Sequence, residues 1–109
     1  MRGVSPKGKE PTMTAYMIAQ VDVHDPQLFE KYRALVPDTL TKYGGEYIVR
    51  GGEMAVLEGD MPFPRIVVIK FPTFDDAKNW HASEEYKGAI EIRQAASKGI
   101  LVAVDGYDG

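Results

Sequence analysis

The chain contains no cysteine, which excludes disulfides, thiolate metal sites and cysteine nucleophiles and fits a reducing compartment. Histidine is scarce: only His24 and His81 are present, far apart and without an HExxH-type spacing, so no metal site is expected. No run approaches the ~18 apolar residues of a membrane span, and no charged-then-apolar leader is visible. The expectation is a soluble, unexported, cytoplasmic protein. Neither GxGxxG nor GxxxxGK[ST] occurs among the glycines, which removes the phosphate-cradling loops. A Gly-x-Ser-x-Gly elbow is missing as well, so nucleophilic hydrolysis has no support.

What remains is ordinary for a globular chain. At 109 residues there is room for one domain, and 44% hydrophobic with 27% charged residues suits a packed core. Residues 1–12 (MRGVSPKGKEPT) read as a flexible extension, with Met13 an alternative start, and residues 13–109 as the single domain. The formal net charge is −3, but Arg2, Lys7 and Lys9 against Glu10 make the extension basic. The remaining body holds 10 basic and 15 acidic residues, a net of −5. An acidic body argues against nucleic acid, whose affinity comes mainly from phosphate neutralisation.

The order of elements is legible from periodicity and capping. Ala15 to Val23 (AYMIAQVDV) reads as a strand. His24-Asp25-Pro26 starts a helix, with Asp25 as cap and Pro26 at the first helical position. Leu28, Tyr32, Leu35, Val36, Leu40 and Tyr43 carry that helix to about Tyr43, with a kink or break expected at Pro37. Gly44-Gly45 suits the helix C-terminus. From Glu46 onward the apolar alternation passes through Gly51-Gly52 toward Leu57, and one long bent strand is preferred over a two-residue hairpin. Asp60 to Pro64 is a turn with two prolines, and Arg65 to Phe71 (RIVVIKF) is the third strand. Thr73 caps a short helix carrying Phe74, Ala77, Trp80 and His81; Ser83 caps another from about Glu84 to Ser97. Gly99 is expected to end it, with Ile100 to Val104 as the fourth strand.

This β-α-β-β-α-β order is the ferredoxin-like pattern: an α+β fold whose four-stranded antiparallel sheet carries its helices on one face. The other face should then be polar in a monomer, and it is not. Val67, Ile69 and Phe71 oppose Ile66 and Val68; Ile100, Val102 and Val104 oppose Leu101 and Ala103; Met17, Ala19 and Val21 oppose Tyr16 and Ile18. A sheet apolar on both sides needs a second cover, and a homodimer packed sheet to sheet supplies one.

The motifs YGGEYIVRGGE at 43–53, LEG at 57–59 and RIVVIKFPTFDDAKNWHASEEY at 65–86 carry a resemblance. From Ala15 to about Val104 the chain resembles the domain of unknown function 1330 family, within the dimeric α/β-barrel superfamily. The resemblance implies the fold and the dimer but no agreed activity. Related barrels include cofactor-free monooxygenases of aromatic polyketides, haem-degrading enzymes and small isomerases, so fold does not choose the chemistry. Members often have an aromatic where this chain has His81.

Candidate chemistry rests on few residues. His81 titrates nearest neutrality and is the candidate proton carrier, the alternative being a surface histidine; His24 suits a solvated helix start. Arg50 and Arg65 lie at the ends of neighbouring strands, where they suit a carboxylate, enolate or phenolate, or else ion pairs with Glu46, Glu53, Glu58 or Asp60. Tyr32, Tyr47, Trp80 and Tyr86 suit a pocket for a flat apolar ligand, or a core or dimer seam; Arg93 shares a helix with Tyr86. The expected function is a small enzyme without metal or bound cofactor. It would apply general acid–base chemistry to a compact oxygenated, partly apolar substrate. His81 would move the proton, Arg50 and Arg65 would hold the charge, and Tyr86 or Tyr32 would orient the ligand. The alternatives are a non-catalytic small-molecule-binding homodimer and, from the residue types Asn79-Trp80-His81, a haem-binding relative.

Overall fold

The computed structural model describes residues 14–107; the expected extension at 1–12 lies outside them. Strand β1 (Ala15–Val23) leads into helix α1 (Pro26–Thr41), followed by β2 (Glu46–Arg50) and β3 (Arg65–Phe71). Helices α2 (Phe74–His81) and α3 (Glu84–Ala96) then return the chain to β4 (Ser97–Asp105). The sheet runs β2-β3-β1-β4 with every pairing antiparallel, which is the ferredoxin-like topology.

Local chemistry places the helices as the sequence implies. Asp25 Oδ1 accepts from the Leu28 amide at 3.1 Å, Thr73 Oγ1 from Asp76 at 3.0 Å, and Ser83 Oγ from Tyr86 at 3.2 Å. Helix α1 ends at Thr41, slightly before Tyr43, and Gly44 at φ +73° follows it. Of the kink or break expected at Pro37, the break does not occur: α1 runs through it.

The long bent strand stops at Arg50, and residues 51–64 form no regular element. Gly51 makes the last bond to β3, its amide donating to the Ile66 oxygen at 3.0 Å. Beyond it the opposing residues include Pro62 and Pro64, which have no N–H to offer a ladder. The alternating side chains are therefore exposed, Leu57 at 89%. The irregularity in pairing falls between Tyr47 and Val49, not at Gly51-Gly52.

Gly99 does not end α3 either. The helix closes at Ala96, whose carbonyl accepts from the His24 and Asp25 amides at 3.0 and 3.1 Å, while Ser97 Oγ donates to the Arg93 oxygen at 2.7 Å. With those carbonyls satisfied, no left-handed glycine is needed. Gly99 lies inside β4 opposite Val21, where a Cβ would stand 2.2 Å from the Gln20 oxygen. The glycine permits close strand approach.

The core lies between one sheet face and the helices. Met17, Ile69 and Phe71 from the sheet pack with Val36, Leu40, Trp80, Tyr86 and Ala89 from the helices. Trp80 is fully buried, its indole N–H donating to Thr39 Oγ1 at 2.9 Å. On the other face Ile100 and Val102 remain about half exposed, at 50% and 49%, as the two-sided apolar pattern implies.

Candidate functional site

A cavity opens between the helix-covered sheet face and α1, α2 and α3. Its floor is apolar: Met17, Ala19 and Val21 of β1, Val67 and Ile69 of β3, and Leu101 of β4. These residues alternate along their strands and share one face. Helix α1 contributes Phe29, Tyr32 and Arg33 at the i, i+3, i+4 spacing of one helical face. Strand β2 adds Tyr47 and Arg50, β3 begins with Arg65, α2 adds Trp80, and α3 adds Tyr86, Arg93 and Gln94. The lining thus contains four arginines and no carboxylate.

The polar groups are connected. The Tyr32 and Tyr86 hydroxyls share a hydrogen bond of 2.7 Å, and Arg93 Nη1 donates to the Tyr86 oxygen at 2.8 Å. The Trp80 and Tyr86 rings lie 3.9 Å apart between centroids, which fixes the Tyr86 hydroxyl. At the other end, the Arg50 guanidinium lies 4.3 Å above the Tyr47 ring and donates through Nη2 to the Arg33 oxygen at 3.3 Å. The Arg65 guanidinium stands 5.7 Å from the Phe29 ring. Gly51 makes room for it, since a Cβ there would meet the guanidinium at 2.7 Å.

Burial and crowding set the protonation states. Burial pushes the Tyr32 hydroxyl well above its ordinary range, reinforced by Tyr86. Tyr47 is pushed up to about 12, first by burial and then by Tyr32, against the pull of Arg50, Arg33 and Arg65. Burial raises Tyr86 too, opposed by Arg93. All three tyrosines are therefore neutral hydrogen-bonding groups at neutral pH. Arg65 is lowered by burial and by its neighbours Arg33 and Arg50, the signature of cations crowded together.

The cavity gathers Tyr32, Tyr47, Arg50, Arg65, Trp80, Tyr86 and Arg93 from the sequence-based candidates. His81 is left out: it lies exposed at the end of α2, its ring 6.0 Å from that of Tyr86 between centroids. Partial burial and then Arg93 lower its pKa. His24 also lies outside the lining, as does Glu58. Among the described residues no carboxylate comes within 4.0 Å of Arg50, Arg65 or Arg93; Glu46 faces Lys70 at 3.8 Å instead. Arg33 and Gln94 were not among the expected residues. Arg33 continues the helical face of Phe29 and Tyr32, and Gln94 lies two turns beyond Tyr86, so both were recoverable from helical spacing.

A ferredoxin-like α+β domain with a cationic, tyrosine-lined cavity under its helices is the class that fold and site define. The sequence pattern of the domain of unknown function (DUF1330) matches residues 14–107, and the chain belongs to that family. No curated protein matches it in sequence. Among solved structures it is similar to a protein of unknown function from Rhodopseudomonas palustris, with a TM-score of 0.72 at 14% identity over 90% of this chain and 85% of that one. It is similar to SnoaB, a cofactor-independent oxygenase from Streptomyces nogalater, with a TM-score of 0.63 at 13% identity over 89% and 96%. A dimeric ferredoxin-like protein of unknown function from Thermobifida fusca matches with a TM-score of 0.60 at 16% identity over 92% and 95%. At these identities the likeness is one of fold. Among the described residues no helix is long and apolar enough to cross a membrane.

Proposed function

We propose that this protein binds a compact, partly apolar acid as its anion and eases the loss of a proton from it, without metal or bound cofactor. The observation that carries this is the lining itself: Arg33, Arg50, Arg65 and Arg93 converge with Tyr32, Tyr47 and Tyr86 on an apolar floor with no carboxylate in the lining. Donors held in place by a fold stabilise an oxyanion without reorganising, which lowers the barrier to forming an enolate or phenolate. The proton passes to solvent and the electron pair to the ligand oxygen. The proposal assigns His81 no role, since it is not among the cavity-lining residues. The similarity in fold to a cofactor-independent oxygenase supports chemistry without a bound cofactor. A homodimer is part of the proposal, supported by the uncovered apolar face and by the dimeric Thermobifida fusca neighbour.

A second reading has its own support. The three cavity tyrosines all have raised pKa values, so they stay protonated at neutral pH and none is free to take a proton, which also fits a protein that only sequesters its ligand. Deuterium exchange at C3 of phenylpyruvate, followed by NMR, separates the two. The proposal expects exchange at least about tenfold faster than in buffer, within reach of a well-placed oxyanion site. Saturable binding without faster exchange selects sequestration, and failure to bind rejects both.

A further inference from the structure

We infer that the cavity's ligand is a bifunctional acid: a short apolar or aromatic frame with a carboxylate at one end and a hydroxyl or oxo oxygen at the other. This rests on the anion-binding reading above and adds a second anchoring point to it.

The four arginines and two of the tyrosines in the lining form two groups. The first is Arg33, Arg50 and Arg65, brought together by α1, the end of β2 and the start of β3. Only Arg33 has a carboxylate partner among the described residues, Glu30 at 2.6 Å. The Nε atoms of Arg33 and Arg65 are buried and have no hydrogen-bond partner. Those two atoms are closed off from the cavity, so a ligand meets the outer ends of the guanidinium groups, whose forks match the two oxygens of a carboxylate.

The second group is Arg93, Tyr86 and Tyr32, and its hydrogen bonds do not use up its protons. Tyr86 oxygen accepts from Arg93 Nη1, and one hydroxyl proton lies between Tyr86 and Tyr32. Each tyrosine has a proton, so whichever donates across the 2.7 Å contact, the other's O–H remains for a further acceptor. Arg93 keeps further N–H donors as well. This group therefore suits an oxygen, neutral or ionised, that is distinct from the carboxylate. The floor of the same cavity, with Met17, Val67 and Ile69, offers no polar contact and fits a hydrocarbon frame.

Calorimetric titration of the full chain at pH 7.5 with benzoate, phenol and the 3- and 4-hydroxybenzoates tests this. Benzoate reports the anion-binding reading alone. At least one hydroxybenzoate is expected to bind about tenfold or more tightly than benzoate, the effect of one good charge-assisted hydrogen bond. Arg93→Gln should bring the ratio of hydroxybenzoate to benzoate affinity down toward one, whereas Arg65→Gln should weaken every carboxylate probe alike and leave that ratio in place. Tyr32→Phe, which keeps the ring, provides a second variant should Arg93→Gln fold poorly. Benzoate binding with no gain from a hydroxyl at either position, or a gain indifferent to both variants, overturns the bifunctional ligand and leaves the anion site standing. If no probe binds, both inferences fall.

Discussion

Arg50 Nη2 donates to the backbone oxygen of Arg33 at 3.3 Å, and that oxygen is free because the residue four positions later is Pro37. A proline inside a helix has no N–H for the carbonyl one turn back. The helix thus carries an unused acceptor beside the cavity, and it holds one of the cavity's guanidinium groups. Pro37→Ala restores the competing N–H. The thermal midpoint should rise, since proline is the poorest interior helix residue, while affinity for benzoate should fall severalfold as Arg50 loses its anchor. A purely structural role would move the first and leave the second; unchanged affinity rejects the positioning role.

Trp80 forms the cavity's inner wall and donates its N–H to Thr39 in the buried core. Thr39→Val keeps the shape but strands that donor, at a cost of about 1–3 kcal/mol. Thr39→Ser should recover most of the loss. Urea denaturation of both variants measures this, and equal stability of Val and Ser variants would show that the hydrogen bond contributes nothing.

Tyr47 gives a pH dependence of stability. Its folded-state pKa of about 12 exceeds the ordinary 10.0, so between those values the folded chain holds a proton that the unfolded chain has released. Its contribution is complete below pH 10 and is lost as pH climbs toward 12. Tyr47→Phe should therefore flatten the fall in thermal midpoint above pH 10. A fall as steep as in the parent protein would mean that Tyr47 is not the group responsible.

The uncovered sheet face bears on assembly. Ile100, Val102 and Val104 are exposed there, and Val68 shares the face as the register partner of Ile18. Sedimentation at micromolar concentration should give a dimer, and Val68→Asp a monomer or aggregate, because the carboxylate would be stranded in an apolar seam. A folded, stable monomer of the parent chain would remove the dimer from the proposal.

The strands and helix starts were legible because they depend on local chemistry: alternation in RIVVIKF, and the short side chains of Asp25, Thr73 and Ser83 before each helix. The failures share a non-local cause. The strand beyond Gly51 was expected from its own alternation, but a strand needs a partner, and Pro62 and Pro64 deny it one. Gly99 was read as a helix stop, whereas the Ala96 carbonyl is capped by amides more than 70 residues earlier in the chain. Arg50 and Arg65 line one cavity, as their places at the ends of neighbouring strands imply. His81 stands out in the sequence for its intrinsic pKa, which says nothing about where its ring points. The Tyr32–Tyr86 pair, 54 residues apart, needed the packing of α1 on α3 to become visible.

The most direct measurement is calorimetric titration of the parent protein with benzoate and with benzamide, its neutral counterpart of nearly the same shape, repeated on Arg65→Gln. Benzoate should bind at least about tenfold more tightly than benzamide, as charge-assisted bonds to guanidinium require. The preference should weaken with added salt and largely disappear in the variant. Equal affinity for the two probes, or a benzoate preference that survives the loss of Arg65, would contradict an anion-binding cavity.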